Sequence, residues 1–132
     1  PISKDTYYLK RYILPKKIVI DIWEIKMRNK KTYNCPVEAT IDLIGGKYKA
    51  IILWHLIDKT LRFNEIQKLL PKATSKMLTQ QLRELENDWL ICRVVYPVVP
   101  PKTEYSLSDF GKSIIPIITA MCDWGKDYLA DS

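Results

Sequence analysis

Three leucines, Leu78, Leu82 and Leu85, recur at steps of four and three within Ser75-Lys76-Met77-Leu78-Thr79-Gln80-Gln81-Leu82-Arg83-Glu84-Leu85-Glu86. They therefore share one face of a helix and commit it to a core. The opposite face carries Ser75, Lys76, Thr79, Gln80 and Arg83: two hydroxyls, an amide and two cations, with no acid among them. That set suits a duplex, because amides and Arg make paired contacts to purine edges while Lys and hydroxyls hold phosphate. Glu84 and Glu86 come later, where DNA is expected to be leaving the helix.

The flanking chain gives this helix a setting. Upstream, Leu61-Arg62-Phe63 is extended enough for a short strand, and Asn64 can cap a helix with Gln67 at the capping-box position. In that helix Ile66, Leu69 and Leu70 are predicted to face inward until Pro71 follows its end. Pro71-Lys72-Ala73-Thr74 is then a turn of about four residues, with Thr74 or Ser75 as the next cap. Downstream, Ile91 to Tyr96 and Thr103 to Leu107 are β-prone runs separated by Pro97-Val98-Val99-Pro100-Pro101-Lys102. Prolines cannot donate to a ladder, so that segment is a loop. The whole reads as a winged helix-turn-helix, mainly α with a small β wing (α+β). Arg93 and Lys102 suit a wing resting on phosphate; a hairpin that only packs on the core is the plainer alternative.

Before this unit, Cys35-Pro36-Val37-Glu38 has helix-start chemistry, with Pro at the first helical position and an acid in the first turn. Val37, Ile41 and Ile44 form its apolar face until Gly45-Gly46 stops it. Lys47 to Ile57 is apolar almost all round and is predicted to be a buried central rod. His55, the single histidine, reads as a core residue, since no second His or carboxylate has a compatible spacing. After the wing, Ser108 can cap a final helix bearing Ile114, Ile117, Ile118, Met121, Trp124 and Tyr128, which Pro116 should kink or split. So much apolar surface on a terminal helix implies burial against a second copy, together with Ile41 of the first helix, in a two-fold homodimer.

Charge sharpens the division. The net charge is +6, yet residues 1–34 hold nine Lys/Arg against three Asp/Glu, and residues 35–132 hold twelve of each. Residues 1–34 are thus a basic N-terminal extension, and residues 35–132 the folded domain with its C-terminal dimerisation helix. Within residues 1–26 only Ile18-Val19-Ile20-Asp21-Ile22-Trp23 is β-rich, and Met27 would make a natural start. A mobile or artefactual extension and a basic arm entering a groove are both open there. Inside the domain, residues 59–102 carry eight bases and four acids, while residues 103–132 carry two and five, so the reading segment is the positive end.

An apolar content of 47% and a charged content of 27% are those of a globular chain. No stretch reaches a membrane span and no signal peptide is evident, which makes a cytoplasmic protein the expectation. Three cysteines, Cys35, Cys92 and Cys122, lack metal-ligand spacing and imply neither a disulfide scaffold nor a zinc site. Paired carboxylates, a nucleophile beside a base and a phosphate loop are all missing from the sequence, so no enzyme, metal or cofactor is expected.

From Cys35 onward the chain resembles the HxlR-type family of winged-helix transcription regulators. The resemblance is carried by Cys35-Pro36-Val37, Gly45-Gly46-Lys47-Tyr48-Lys49, Arg62-Phe63-Asn64-Glu65-Ile66 and Lys76-Met77-Leu78-Thr79-Gln80-Gln81-Leu82. It continues through Leu90-Ile91, Arg93, Tyr96, Pro100-Pro101, Glu104-Tyr105-Ser106-Leu107, Gly111, Pro116-Ile117 and Trp124-Gly125. Tyr48 stands where the family usually has Trp, and Asp88-Trp89 where it has Asp-Gly. The resemblance implies a homodimeric, sequence-specific DNA-binding regulator, in some members controlled by an oxidant or electrophile through a cysteine at the position of Cys35. A thiol at a helix N-terminus independently feels partial positive charge, although Glu38 opposes it. A plain cap residue is the alternative for Cys35. Cys92 reads as packing, and Cys122 as the candidate mate for Cys35 across subunits, with geometry to decide. From another functional class, a protein interaction module that no longer binds DNA would show acids on the reading face.

Overall fold

The computed structural model describes residues 32–130. Residues 1–31, nearly all of the basic extension, lie outside the described residues, as does every reading made above for residues 1–26. The described chain runs α1 (Pro36–Ile44), α2 (Lys49–His55), β1 (Leu61–Arg62), α3 (Phe63–Leu69), α4 (Ser75–Asn87), β2 (Ile91–Tyr96), β3 (Lys102–Leu107), α5 (Asp109–Lys112) and α6 (Ile115–Leu129). The strands form one antiparallel sheet in the order β1-β3-β2, with Arg62 opposite Glu104 and Tyr96 opposite Lys102. This is the α+β winged helix-turn-helix that the sequence led us to expect.

One core unites these elements: Ile52, Leu53 and Leu56 around α2, Ile66 and Leu70 around α3, Leu78, Leu82 and Leu85 of α4, and Leu90, Ile91, Tyr105 and Leu107 of the wing base. The three leucines that define α4 are each at most 2% exposed. Thr74 caps this helix, its hydroxyl accepting the Met77 N–H at 3.0 Å. Pro116 splits the terminal segment as expected, leaving α5 as a single turn and taking a first-turn place in α6, where a missing N–H costs nothing.

Several local expectations are corrected. The central rod is shorter than Lys47 to Ile57 and is not buried all round, since Ile51 and Trp54 lie exposed along a groove between α2 and α6. Gly45 does end α1, as expected, with φ −80 rather than in the left-handed region. Glycine is needed there for space, because a Cβ would strike the Ile41 carbonyl. Helix α3 begins one residue before Asn64, and Glu65 rather than Gln67 does the capping, accepting the Arg62 N–H at 2.8 Å. Leu69 is exposed, not inward. Trp89 adopts φ 64, the left-handed region that glycine would enter without cost. The turn holds because Leu90 N–H returns to the Leu85 carbonyl and Ser108 Oγ donates to the Trp89 carbonyl. His55 is partly buried beside Lys59, and both burial and that cation push its pKa down, favouring the neutral ring of a packing residue.

Candidate nucleic-acid interface

Because Leu78, Leu82 and Leu85 fasten α4 to the core, Ser75, Lys76, Thr79, Gln80 and Arg83 are all turned outward. All five lie together on solvent-exposed helix surface, as their spacing predicts. Among the described residues neither Lys76 nor Arg83 is drawn into an ion pair. Ser75 is held from the helix before it, Gln67 Nε2 donating to its Oγ at 2.8 Å, which fastens the two helices at the turn.

The wing stands beside the C-terminal half of α4. Thr79, Leu82 and Arg83 line a groove with Arg93 and Tyr105 of the wing, and Glu86 closes it. Both acids on α4 are neutralised. Glu84 Oε1 lies 2.7 Å from Lys49 Nζ, and Glu86 Oε1 lies 3.3 Å from Arg93 Nε. Hydrogen bonds from Lys49 and then Gln80 hold the Glu84 carboxyl below its ordinary pKa, so it stays ionised. Arg93 is therefore committed partly to balancing Glu86 and is not a wholly unencumbered phosphate contact. Lys102 sits 4.7 Å above the Tyr96 ring and 3.7 Å from Glu104, which orients its ammonium along the wing. Glu104 also accepts from the Tyr96 hydroxyl, and this bond and its charge push that phenol's pKa up.

Sequence reasoning missed Lys49, Gln67, Tyr96 and Glu104 as supports of this surface. Lys49 alone had a signal, being a cation inside an otherwise apolar helix. The other three depend on which elements become neighbours.

A second surface is apolar. Ile41 on α1, and Ile117, Met121, Trp124 and Tyr128 on α6, are exposed; Trp124 and Tyr128 are 70% and 73% exposed and stack at 5.4 Å. Ile118, expected among them, is corrected: at 3% exposure it faces this subunit's own core, because α6 packs its inner side on α2. Ile114 is half-buried and packs against the same core. Cys35 is exposed at the N-cap of α1 without a side-chain cap bond, Cys92 is buried in β2, and Cys122 is half-buried. Cys122 lines a groove of about 240 Å³ between α2 and α6, together with Ala50, Ile51, Trp54, Ile118 and Met121. No described helix is long and apolar enough to cross a membrane. No group of three or more His, Cys, Asp or Glu in the described residues could hold a metal.

The chain shares 61% identity over 94 residues with the HTH-type transcriptional regulator YdeP of Bacillus subtilis, spanning 71% of this chain and 73% of that one. Among solved structures it matches the redox regulator HypR in its oxidised form, with 53% identity and a TM-score of 0.68 over 70% of this chain and 96% of that one. It also matches the reduced form of the regulator YodB from B. subtilis, at 30% identity and a TM-score of 0.62, over 76% of this chain and 99% of that one. A family model described as HxlR-like helix-turn-helix matches residues 43–132. An exposed, cation-bearing α4 backed by a wing, joined to these matches, places the chain in the HxlR-like helix-turn-helix family of DNA-binding transcription regulators.

Proposed function

We propose that this regulator works in the cytoplasm as a homodimer whose two α4 helices enter successive major grooves about 34 Å apart. The observation that carries the reading is the outer face of α4, where Ser75, Lys76, Thr79, Gln80 and Arg83 are exposed and each acid on the helix has a basic partner. In this arrangement Arg83 and Gln80 read base edges. Ser75, Lys76 and Thr79 hold the adjoining backbone, and Lys102 with Arg93 presents the wing to phosphate.

Duplex affinity is expected to fall steeply as salt rises. Arg83→Ala should cost about 1–3 kcal/mol on the preferred sequence and flatten discrimination, whereas Lys102→Ala should weaken all sequences alike and reduce the salt slope by about one. Titrating matched and scrambled duplexes at several salt concentrations checks both. Affinity that ignores salt for every duplex would end this reading.

Cys35 is the proposed input for an oxidant or electrophile. Its thiol is exposed at the start of α1, the helix whose apolar face is proposed to meet the partner, and the similar protein HypR is a redox regulator. Mild oxidation is expected to change DNA affinity about fivefold or more in the native chain and to leave Cys35→Ser unaltered. Equal responses in the two proteins would remove Cys35 from the mechanism.

A further inference from the structure

We infer that Glu84, itself held by buried Lys49, is a positioning residue for base readout that fixes which end of the Gln80 amide meets DNA. Its two carboxylate oxygens have different partners: Oε1 lies 2.7 Å from Lys49 Nζ, and Oε2 accepts the Gln80 Nε2 amide at 3.1 Å. The Lys49 side chain is only 7% exposed. A buried ammonium needs a counter-charge, so the carboxylate is pinned from beneath rather than left to swing with solvent. The helix is registered against α2 by a neighbouring contact as well. Gln81 Oε1 accepts the Tyr48 N–H at 3.2 Å, and Gly46 leaves the room for it, since a Cβ there would collide with that oxygen.

An ionised carboxylate only accepts hydrogen bonds. Gln80 must therefore turn its nitrogen toward Glu84 and its carbonyl oxygen away. A glutamine without such a neighbour can present either end, and so adapts to several bases. Here the outward group is an acceptor, with the second N–H of the same amide beside it. That pattern fits adenine, which offers an N6 donor and an N7 acceptor, and it can accept from cytosine N4. Guanine and thymine offer only acceptors there, so the second N–H can be met but the outward oxygen is left without a donor. Turning the amide over would set its oxygen against the carboxylate. The Lys49–Glu84 pair thus converts an adaptable side chain into a selective one.

The inference rests on the outer face of α4 being the reading surface, and its test separates the two. Bound duplexes are selected from a randomised pool with the native chain and with Gln80→Ala, and the base position whose preference disappears in the variant is the one Gln80 reads. At that position the native chain should favour adenine or cytosine on the contacted strand by about fivefold or more. In Lys49→Met/Glu84→Leu, which removes both charges together, that preference should shrink to within about twofold while preferences at other positions persist. Glu84→Gln, whose oxygen Lys49 would hold so that its amide nitrogen faces Gln80, should lose the same preference should the double variant fold poorly. Guanine or thymine at that position, or a preference unchanged in either variant, overturns the inference while leaving the reading surface intact. Native protein that selects no sequence overturns the reading surface, and this inference with it.

Discussion

Glutamate in place of both Met121 and Trp124 is expected to yield a folded monomer that has lost specific binding to a two-half-site duplex. The side chains are 50% and 70% exposed, and the helix is anchored to its own subunit from the other side by Ile118, so the fold survives the change. In the proposed dimer, two carboxylates facing their symmetry mates would have to be buried without partners, a cost that no apolar contact nearby offsets. Once the two reading helices are unlinked, the second half-site no longer sees its helix at high effective concentration. Affinity should fall by about 10²–10⁴. Sedimentation velocity and duplex titration on the same sample check this, and a dimer that binds as before would show that the subunits meet elsewhere.

Gly111→Ala is expected to be the most damaging small substitution, costing about 3 kcal/mol or more and lowering the melting temperature by roughly 10 °C or more. A Cβ at this position would run into the Leu90 carbonyl, which is backbone and has little room to retreat. The site is also held by polar contacts: the Gly111 N–H donates to buried Ser108 Oγ at 2.7 Å, and the Ser108 N–H donates to the Leu90 carbonyl. These bonds join the end of the wing to the turn that follows α4. Gly125→Ala is the matched control, because nothing lies within 4 Å of a Cβ there, and helical Ala is favoured over Gly. Thermal melts of the two variants should move in opposite directions.

Much of this architecture was legible because it depends on local pattern. The spacing of Leu78, Leu82 and Leu85 dictated which way α4 turns, and that same spacing placed Ser75, Lys76, Thr79, Gln80 and Arg83 outside. Prolines located the wing loop and the break before α6 for an equally local reason, the missing N–H. The errors lie where two segments compete for the same partner. Gln67 was positioned to cap its own helix, yet Glu65 was closer to the Arg62 N–H and Ser75 came within reach across the turn. Ile118 is as apolar as Ile117, and only the placement of α2 decided which of them entered the subunit's own core.

The sequence by itself determined the order of the elements, the buried face of α4 and the chemistry of its outer face, since periodicity and residue type act within a few turns of chain. Tertiary structure alone decided that Lys49 neutralises Glu84, that Arg93 is partly spent on Glu86, and that Gly46 and Gly111 are there for space rather than for left-handed turns. Those outcomes join residues 7 to 35 positions apart, and their energies depend on burial and distance, which no local pattern encodes.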